Sequence, residues 1–181
     1  LPFDNLSSVC TDDRQAARCA IDSLIALGHR KFVIVGGDRE VSDTSRLRYE
    51  GCLQSFRKHG IEYDEKQDYQ GVRFSYQGGY NATQQLIANG REFTALFAIA
   101  DVMAIGAIRA LHNNGLRVPK DVSVMGFDGL RLGSFLIPEL STVIQSAQIM
   151  AQRSVEILID RIEHGGTACH EAVPYALHQR E

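Results

Sequence analysis

Positive charge is scarce in this 181-residue chain: lysine and arginine number 19 against 22 aspartates and glutamates, a formal net charge of −3 at pH 7. A surface that grips nucleic-acid phosphates needs a basic excess, so this chain is not expected to be the part of any protein that touches DNA. Long apolar runs are missing too. No stretch could span a bilayer, and no charged-then-apolar leader follows Leu1. The four cysteines, Cys10, Cys19, Cys52 and Cys169, are scattered with no C-x-x-C pair. That spacing argues against a disulfide or metal framework and suits reduced thiols in a cytoplasmic protein. Catalytic motifs are absent as well. There is no G-x-S-x-G elbow, no P-loop and no G-x-G-x-x-G, and Gly36-Gly37 is too little to cradle a phosphate. The six histidines (His29, His59, His112, His164, His170, His178) hold no H-x-x-x-H pair, and four of them fall at or just past expected helix C-termini, where the dipole favours positive charge. No enzyme activity, metal or cofactor is expected. Internal repeats and low-complexity tracts are also lacking.

What the chain does have is β–α alternation, clearest from Phe93 to Asp128. Phe93–Ile99 is a short apolar run, too short for a helix standing alone. Asp101 is placed to cap a segment whose Ala104, Ala107, Ile108 and Leu111 recur at helical spacing. Gly115 marks the C-cap, Pro119 blocks a restart, and Val122–Phe127 reads as the next strand. Two strands joined by such a helix form a parallel pair with a right-handed crossover.

The rest follows the same grammar. Leu6–Cys10 is a strand candidate; Thr11 or Asp12 caps a helix bearing Ala17, Ile21, Leu24 and Leu27 and ending at Gly28. Lys31–Val35 reads as a buried strand. Ser42, Asp43 or Thr44 caps a helix with Tyr49, Cys52, Leu53 and Phe56 on one face, closed by Gly60. A weak strand near Asp68–Val72 and a helix over Ser75–Asn89 follow. Past Asp128 comes an irregular piece, then a strand over Leu140–Gln145, a long helix capped by Ser146, and a last edge-type strand, Ala172–Leu177, containing Pro174. The fold class is α/β, an open doubly wound parallel sheet.

In such sheets ligands lie outside the carboxyl ends of the strands. The residues there are Thr11, Asp12 and Asp13; Gly37 to Arg48; Phe74; Ala100 and Asp101; and Asp128. Carboxylates accept from sugar hydroxyls, arginine donates a planar fork and an aromatic face covers a sugar ring, so this set suits a neutral polyhydroxylated ligand. Each member also has a plainer reading. Asp12 and Asp101 could be helix caps, Arg48 a solvated helix residue, Phe74 core and Asp128 a turn former. Arg46 and Asp43 read as surface residues.

Two segments carry a resemblance. Ala100-Asp101-Val102-Met103-Ala104-Ile105-Gly106-Ala107 resembles the N/G-D-x-M-A-x-G-A segment of the LacI/GalR family of sugar- and purine-sensing transcription regulators. Gly115-Leu116-Arg117-Val118-Pro119-Lys120-Asp121-Val122-Ser123-Val124-Met125-Gly126-Phe127-Asp128 resembles that family's G-L-R-V-P-x-D-V-S-V-x-G-[FY]-D. The resemblance implies a periplasmic-binding-protein-like (type I) lobe. It divides the chain into a first-lobe remnant (1–10), the second lobe (11–140), a crossover strand and helix belonging to the first lobe (141–166) and a return strand with tail (167–181). On this view the chain is part of a larger regulator, and operator DNA is met only through an N-terminal domain lying outside it.

Ser45-Arg46-Leu47-Arg48-Tyr49-Glu50-Gly51 resembles the family's x-R-x-R-x-x-G stretch. By that likeness Arg48 contacts the ligand, Thr44 holds a small-hydroxyl position, Phe74 stacks on the ligand and Asp128 hydrogen-bonds it. Asp101 matches the aspartate of the N/G-D pair. Ala100 departs from the asparagine found in galactoside-binding members, which implies a different ligand. Leu132, Phe135 and Leu136 fall where family members form a dimer contact. The implied function is effector sensing by a homodimeric cytoplasmic regulator, most readily a repressor, with a sugar or sugar derivative ahead of a purine as effector. The rival readings are a periplasmic sugar receptor of a transport system and a sugar-metabolising enzyme.

Overall fold

The computed structural model describes residues 5–180. Leu1–Asp4, the start of the expected first-lobe remnant, lie outside them. In chain order the elements are β1 (Ser8–Thr11), α1 (Asp13–Ala26), β2 (Phe32–Gly36), α2 (Asp43–His59), α3 (Glu65–Asp68), β3 (Tyr69–Gly71), α4 (Tyr76–Ala88), β4 (Ala95–Ala98), α5 (Asp101–Asn113) and β5 (Ser123–Asp128). A 3₁₀ turn (Arg131–Phe135), β6 (Ser141–Gln145), α6 (Ala147–His164), β7 (His170–Val173) and β8 (Tyr175–His178) complete it.

Six strands form one sheet in the order β3-β2-β4-β5-β6-β8. Every pairing in it is parallel except β6–β8, so the sheet is mixed at one edge rather than wholly parallel. All five residues of β2 are buried, as a strand covered on both faces requires. From β2 the chain steps to β3 in one direction, then returns past β2 to β4, β5 and β6 in the other. Right-handed crossovers then put helices on opposite faces, and they pack as two pairs, α1 with α2 and α4 with α5. Val33, Ile34, Leu96, Phe97 and Met103 between these layers are 0% exposed. Each fully buried side chain of that size contributes about 2 kcal/mol.

The helix pairs touch through glycine. A β-carbon on Gly51 would collide with the Arg14 carbonyl, and one on Gly106 with the Tyr76 carbonyl. The Gly106 of the family-like motif is thus a contact between helix backbones.

β1 and β7 form a separate parallel pair. α6 rests beside it, tied by the Arg153–Glu171 bridge (2.9 Å) and by Arg161 Nη1 donating to Ser7 Oγ (3.1 Å). None of the residues of α6 is buried, and Val155, Leu158, Ile159 and Ile162 are exposed.

Several expectations are corrected. Ser141–Gln145 does not leave with the crossover helix: it pairs with β5 inside the large sheet, and the departure comes at Ser146. The last expected strand is two strands in different sheets, parted by Pro174, which lacks the N–H either ladder would need. Ser146 holds the N-cap position of α6 but makes no side-chain capping bond. Asp101 does not cap α5. Ala100 is the N-cap, and Asp101 is the first helical residue with its carboxylate turned to other partners.

Candidate functional site

The point where strand order reverses lies between β2 and β4, and Arg48 reaches it from the second turn of α2. Its side chain is 5% exposed, so it is not the solvated residue of the plainer reading. A buried guanidinium must be paired. Nε donates to Asp13 Oδ1 at 2.7 Å, and Nη1 donates to the Ile99 carbonyl at the end of β4 and to Asp128 Oδ1 at 3.3 Å. The guanidinium carbon lies 3.5 Å from the centre of the Phe127 ring. One arginine thereby joins α1, α2, β4 and β5 at the rim of the sheet.

Asp128 ends β5 with φ at 119°, the one non-glycine residue with positive φ among the described residues, and Gly129 follows at 76°. Such a backbone is costly for a residue with a β-carbon, and it holds the carboxylate at the rim. Oδ1 accepts from Arg48 and from Gln145 Nε2 at 2.8 Å, while Oδ2 accepts from no described residue. The side chain is 30% exposed. Burial raises its pKa above the usual carboxylate value, against the lowering effect of Arg48 and of the Gln145 bond. Gln145 in turn accepts at Oε1 from Thr11 Oγ1 (3.0 Å).

Phe74 and Thr44 lie on the β2 side of the same rim. Phe74 is 42% exposed and is not core. Its ring sits over Gly37, where an added β-carbon would be 2.5 Å from a ring carbon and 2.6 Å from Ser45 Oγ. Only glycine fits there. Ser45 Oγ is buried without a described partner. Thr44, half-buried in the first turn of α2, stands next to it. Phe74 also lines an open cleft with Asp38, Val41, Ser42 and Arg73.

Two other candidates are engaged by local partners. Asp101 is 0% exposed. Its Oδ1 accepts from Thr142 Oγ1 and its Oδ2 from the Leu130 N–H, each at 2.6 Å. Burial lifts its pKa to about 6, with those hydrogen bonds pulling the other way. It fastens the segment after β5, together with β6, to α5. Asp12 is exposed and accepts from the Gln15 N–H at 2.9 Å, so its capping reading holds. Arg46 pairs with Asp43 (2.7 Å) and Glu50 (3.0 Å) on the surface, as expected. Gln145 was missed by sequence reasoning, and Asp13 stood only as one of several strand-end carboxylates.

Leu132 and Phe135 are 47% and 71% exposed, and Ile137 is 99% exposed. Leu136, grouped with them from sequence, instead packs partly buried against the core. Among the described residues no group of three histidines, cysteines or carboxylates could hold a metal, and no helix is long and apolar enough to cross a membrane.

Residues 21–181 match the family described as a periplasmic binding protein-like domain. The HTH-type transcriptional repressor PurR of Haemophilus influenzae is 36% identical over 145 residues, which cover 80% of this chain and 43% of that protein. The solved structure of a transcriptional regulator CelR–cellobiose complex superposes with a TM-score of 0.93 at 28% identity, covering 100% of this chain and 55% of that one. The lac repressor dimer bound to operator and the anti-inducer ONPF superposes with a TM-score of 0.88 at 29% identity, covering 96% and 59%. This chain therefore spans about half the length of the proteins it matches.

Proposed function

The chain belongs to the periplasmic binding protein-like family, in the branch of LacI/GalR-type effector-binding domains, and from that premise we propose that it senses a neutral, polyhydroxylated effector. A sugar or sugar derivative fits ahead of a purine. The observation that carries this is the Asp13–Arg48–Asp128 array at the sheet's switch point, with Asp128 Oδ2 free to accept and Phe74 exposed on the same rim. Carboxylates outnumber the arginine there, which disfavours an anionic ligand. Arg48 Nη2, without a described partner, can donate to a ring or hydroxyl oxygen.

In this reading the effector binds one conformation more tightly than another and so alters operator affinity, with repression as the expected sign. DNA is met by a part of the regulator outside this chain, the protein works in the cytoplasm as a regulator must, and it turns over nothing. The regulator relatives favour this over a transport receptor. The exposed patch of Leu132, Phe135 and Ile137 suits a homodimer contact; sedimentation of F135D/I137D as a monomer beside a dimeric parent supports it, and a monomeric parent sinks it.

The test is calorimetric titration of the full-length protein with cellobiose, a panel of neutral mono- and disaccharides, and hypoxanthine. Saturable binding of a sugar, lost in Asp128→Asn, is expected. Failure of every sugar, or turnover of a bound one, overturns the proposal.

A further inference from the structure

The chain passes between the large sheet and the β1–β7 pair at three places: after β1, after β6, and at Pro174 between β7 and β8. At the first two, polar side chains converge on the rim. Thr11 is the last residue of β1 and 4% exposed. Gln145 is the last residue of β6, beside the Ile144 that pairs with Asp128. The Gln145 amide is used at both ends. Its Nε2 donates to Asp128 Oδ1 at 2.8 Å and its Oε1 accepts from Thr11 Oγ1 at 3.0 Å. With its donor end on a carboxylate and its acceptor end on a hydroxyl, the amide can take only this orientation.

We propose that Gln145 is a positioning residue that couples Asp128 to both of these crossings, so that an effector hydroxyl taken up by Asp128 is felt where the chain bends between the sheets. This rests on the sensor reading given above. The argument is geometric. Asp128 is held in place by a strained backbone and by Arg48 on one side. Its remaining described bond runs to Gln145, and through it to Thr11. A rotation of the β1–β7 pair with α6 against the large sheet swings the chain after Thr11 and after Gln145 together. It acts directly on the Thr11–Gln145 bond, which joins the two sheets, and through the Gln145 amide on Asp128. An arrangement that places an effector hydroxyl on the free Oδ2 reorients the carboxylate, and so favours keeping or breaking those bonds. The relay is a chain of contiguous hydrogen bonds from the carboxylate to the crossing after Thr11, and coupling through it requires a second arrangement that the effector favours or disfavours.

Two readouts test this. The first needs no ligand. Amide hydrogen exchange in full-length Gln145→Leu should rise about tenfold at the crossing after Thr11 as well as at Ser146, while β2 and β4 stay protected. Thr11→Val should do the same, and Thr11→Ser, which restores the hydroxyl, should not. A rise confined to the substituted segment overturns the relay. The second uses cellobiose and any sugar of the panel that the parent protein binds. Compared at saturating sugar, so that any change in sugar affinity drops out, Gln145→Leu should lose roughly tenfold or more of the change in operator affinity that the sugar produces. An unchanged operator response at saturation counts against coupling. A parent protein that binds no sugar would sink the sensor reading, and the exchange experiment would still decide the relay.

Discussion

Thr142 Oγ1 donates to Asp101 Oδ1 across 2.6 Å, joining β6 to the first residue of α5 beneath the rim. Gly126 lies against the same carboxylate so closely that no β-carbon would fit. The pocket is closed to water, and the charge it encloses has a consequence for stability.

The pKa of Asp101 in the folded chain, about 6, lies above the ordinary aspartate value of 3.8. Between those values the folded state binds more protons than the unfolded one, so this group's contribution to stability is largest below about pH 4, falls as pH rises to about 6 and is flat above. The loss is about 3 kcal/mol in all. Asp101→Asn can still accept from Leu130 and donate to the Thr142 hydroxyl. The difference in unfolding free energy between parent and variant, followed by urea titration from pH 4 to 7, should therefore shift against the parent by that amount. A difference constant with pH would show that burial does not raise this carboxyl.

Arg48→Ala leaves Asp13, Asp128 and the Ile99 carbonyl without their donor, and is expected to destabilise the fold by about 3–5 kcal/mol. Lysine restores the charge but not the fork that reaches three acceptors, so Arg48→Lys should recover only part of that loss. Denaturation midpoints of the two variants decide it. A binding defect in Arg48→Ala must be read after this measurement, because the residue supports the fold as well as the site.

Gly106→Ala places a methyl group into the Tyr76 carbonyl, where backbone faces backbone and no side chain can yield. A loss of about 1–3 kcal/mol is expected from this one methyl group. An unchanged melting temperature would mean that α4 and α5 are farther apart than described.

Asp128→Gly removes both an unfavourable φ and a carboxylate whose burial raises its pKa. Arg48 keeps Asp13. We expect this variant to be about 1 kcal/mol more stable than its parent, and blind to effector. Loss of stability would show that the bonds to Arg48 and Gln145 outweigh the strain.

Much of the fold was legible because β–α alternation is written in local pattern. The buried run at β2, the glycine after α2 and the Phe93–Asp128 unit were each readable from neighbours in sequence. The candidate site was legible only to the extent that strand ends were. Arg48 and Asp128 follow a helix start and a strand end, and both lie where that logic puts them. Gln145 could not be found this way. Its partners lie 17 and 134 residues away and meet only because β6 pairs in register with β5 while β1 arrives from another sheet. Asp101 misled because an acidic residue before a helix suits a cap in any sequence, and only the packed structure shows Thr142 and Leu130 claiming its oxygens. Pro174 was read as the mark of one edge strand, and it divides two, each at the edge of its own sheet.

The backbone at Asp128 also bears on how such a site persists. Aspartate and glycine codons differ by a single base, and the change relieves strain while giving up the bonds to Arg48 and Gln145. If Asp128→Gly is sturdier as expected, a lineage selected for robustness alone stands one nucleotide away from losing this carboxylate, and keeping it takes continuing selection for what it does.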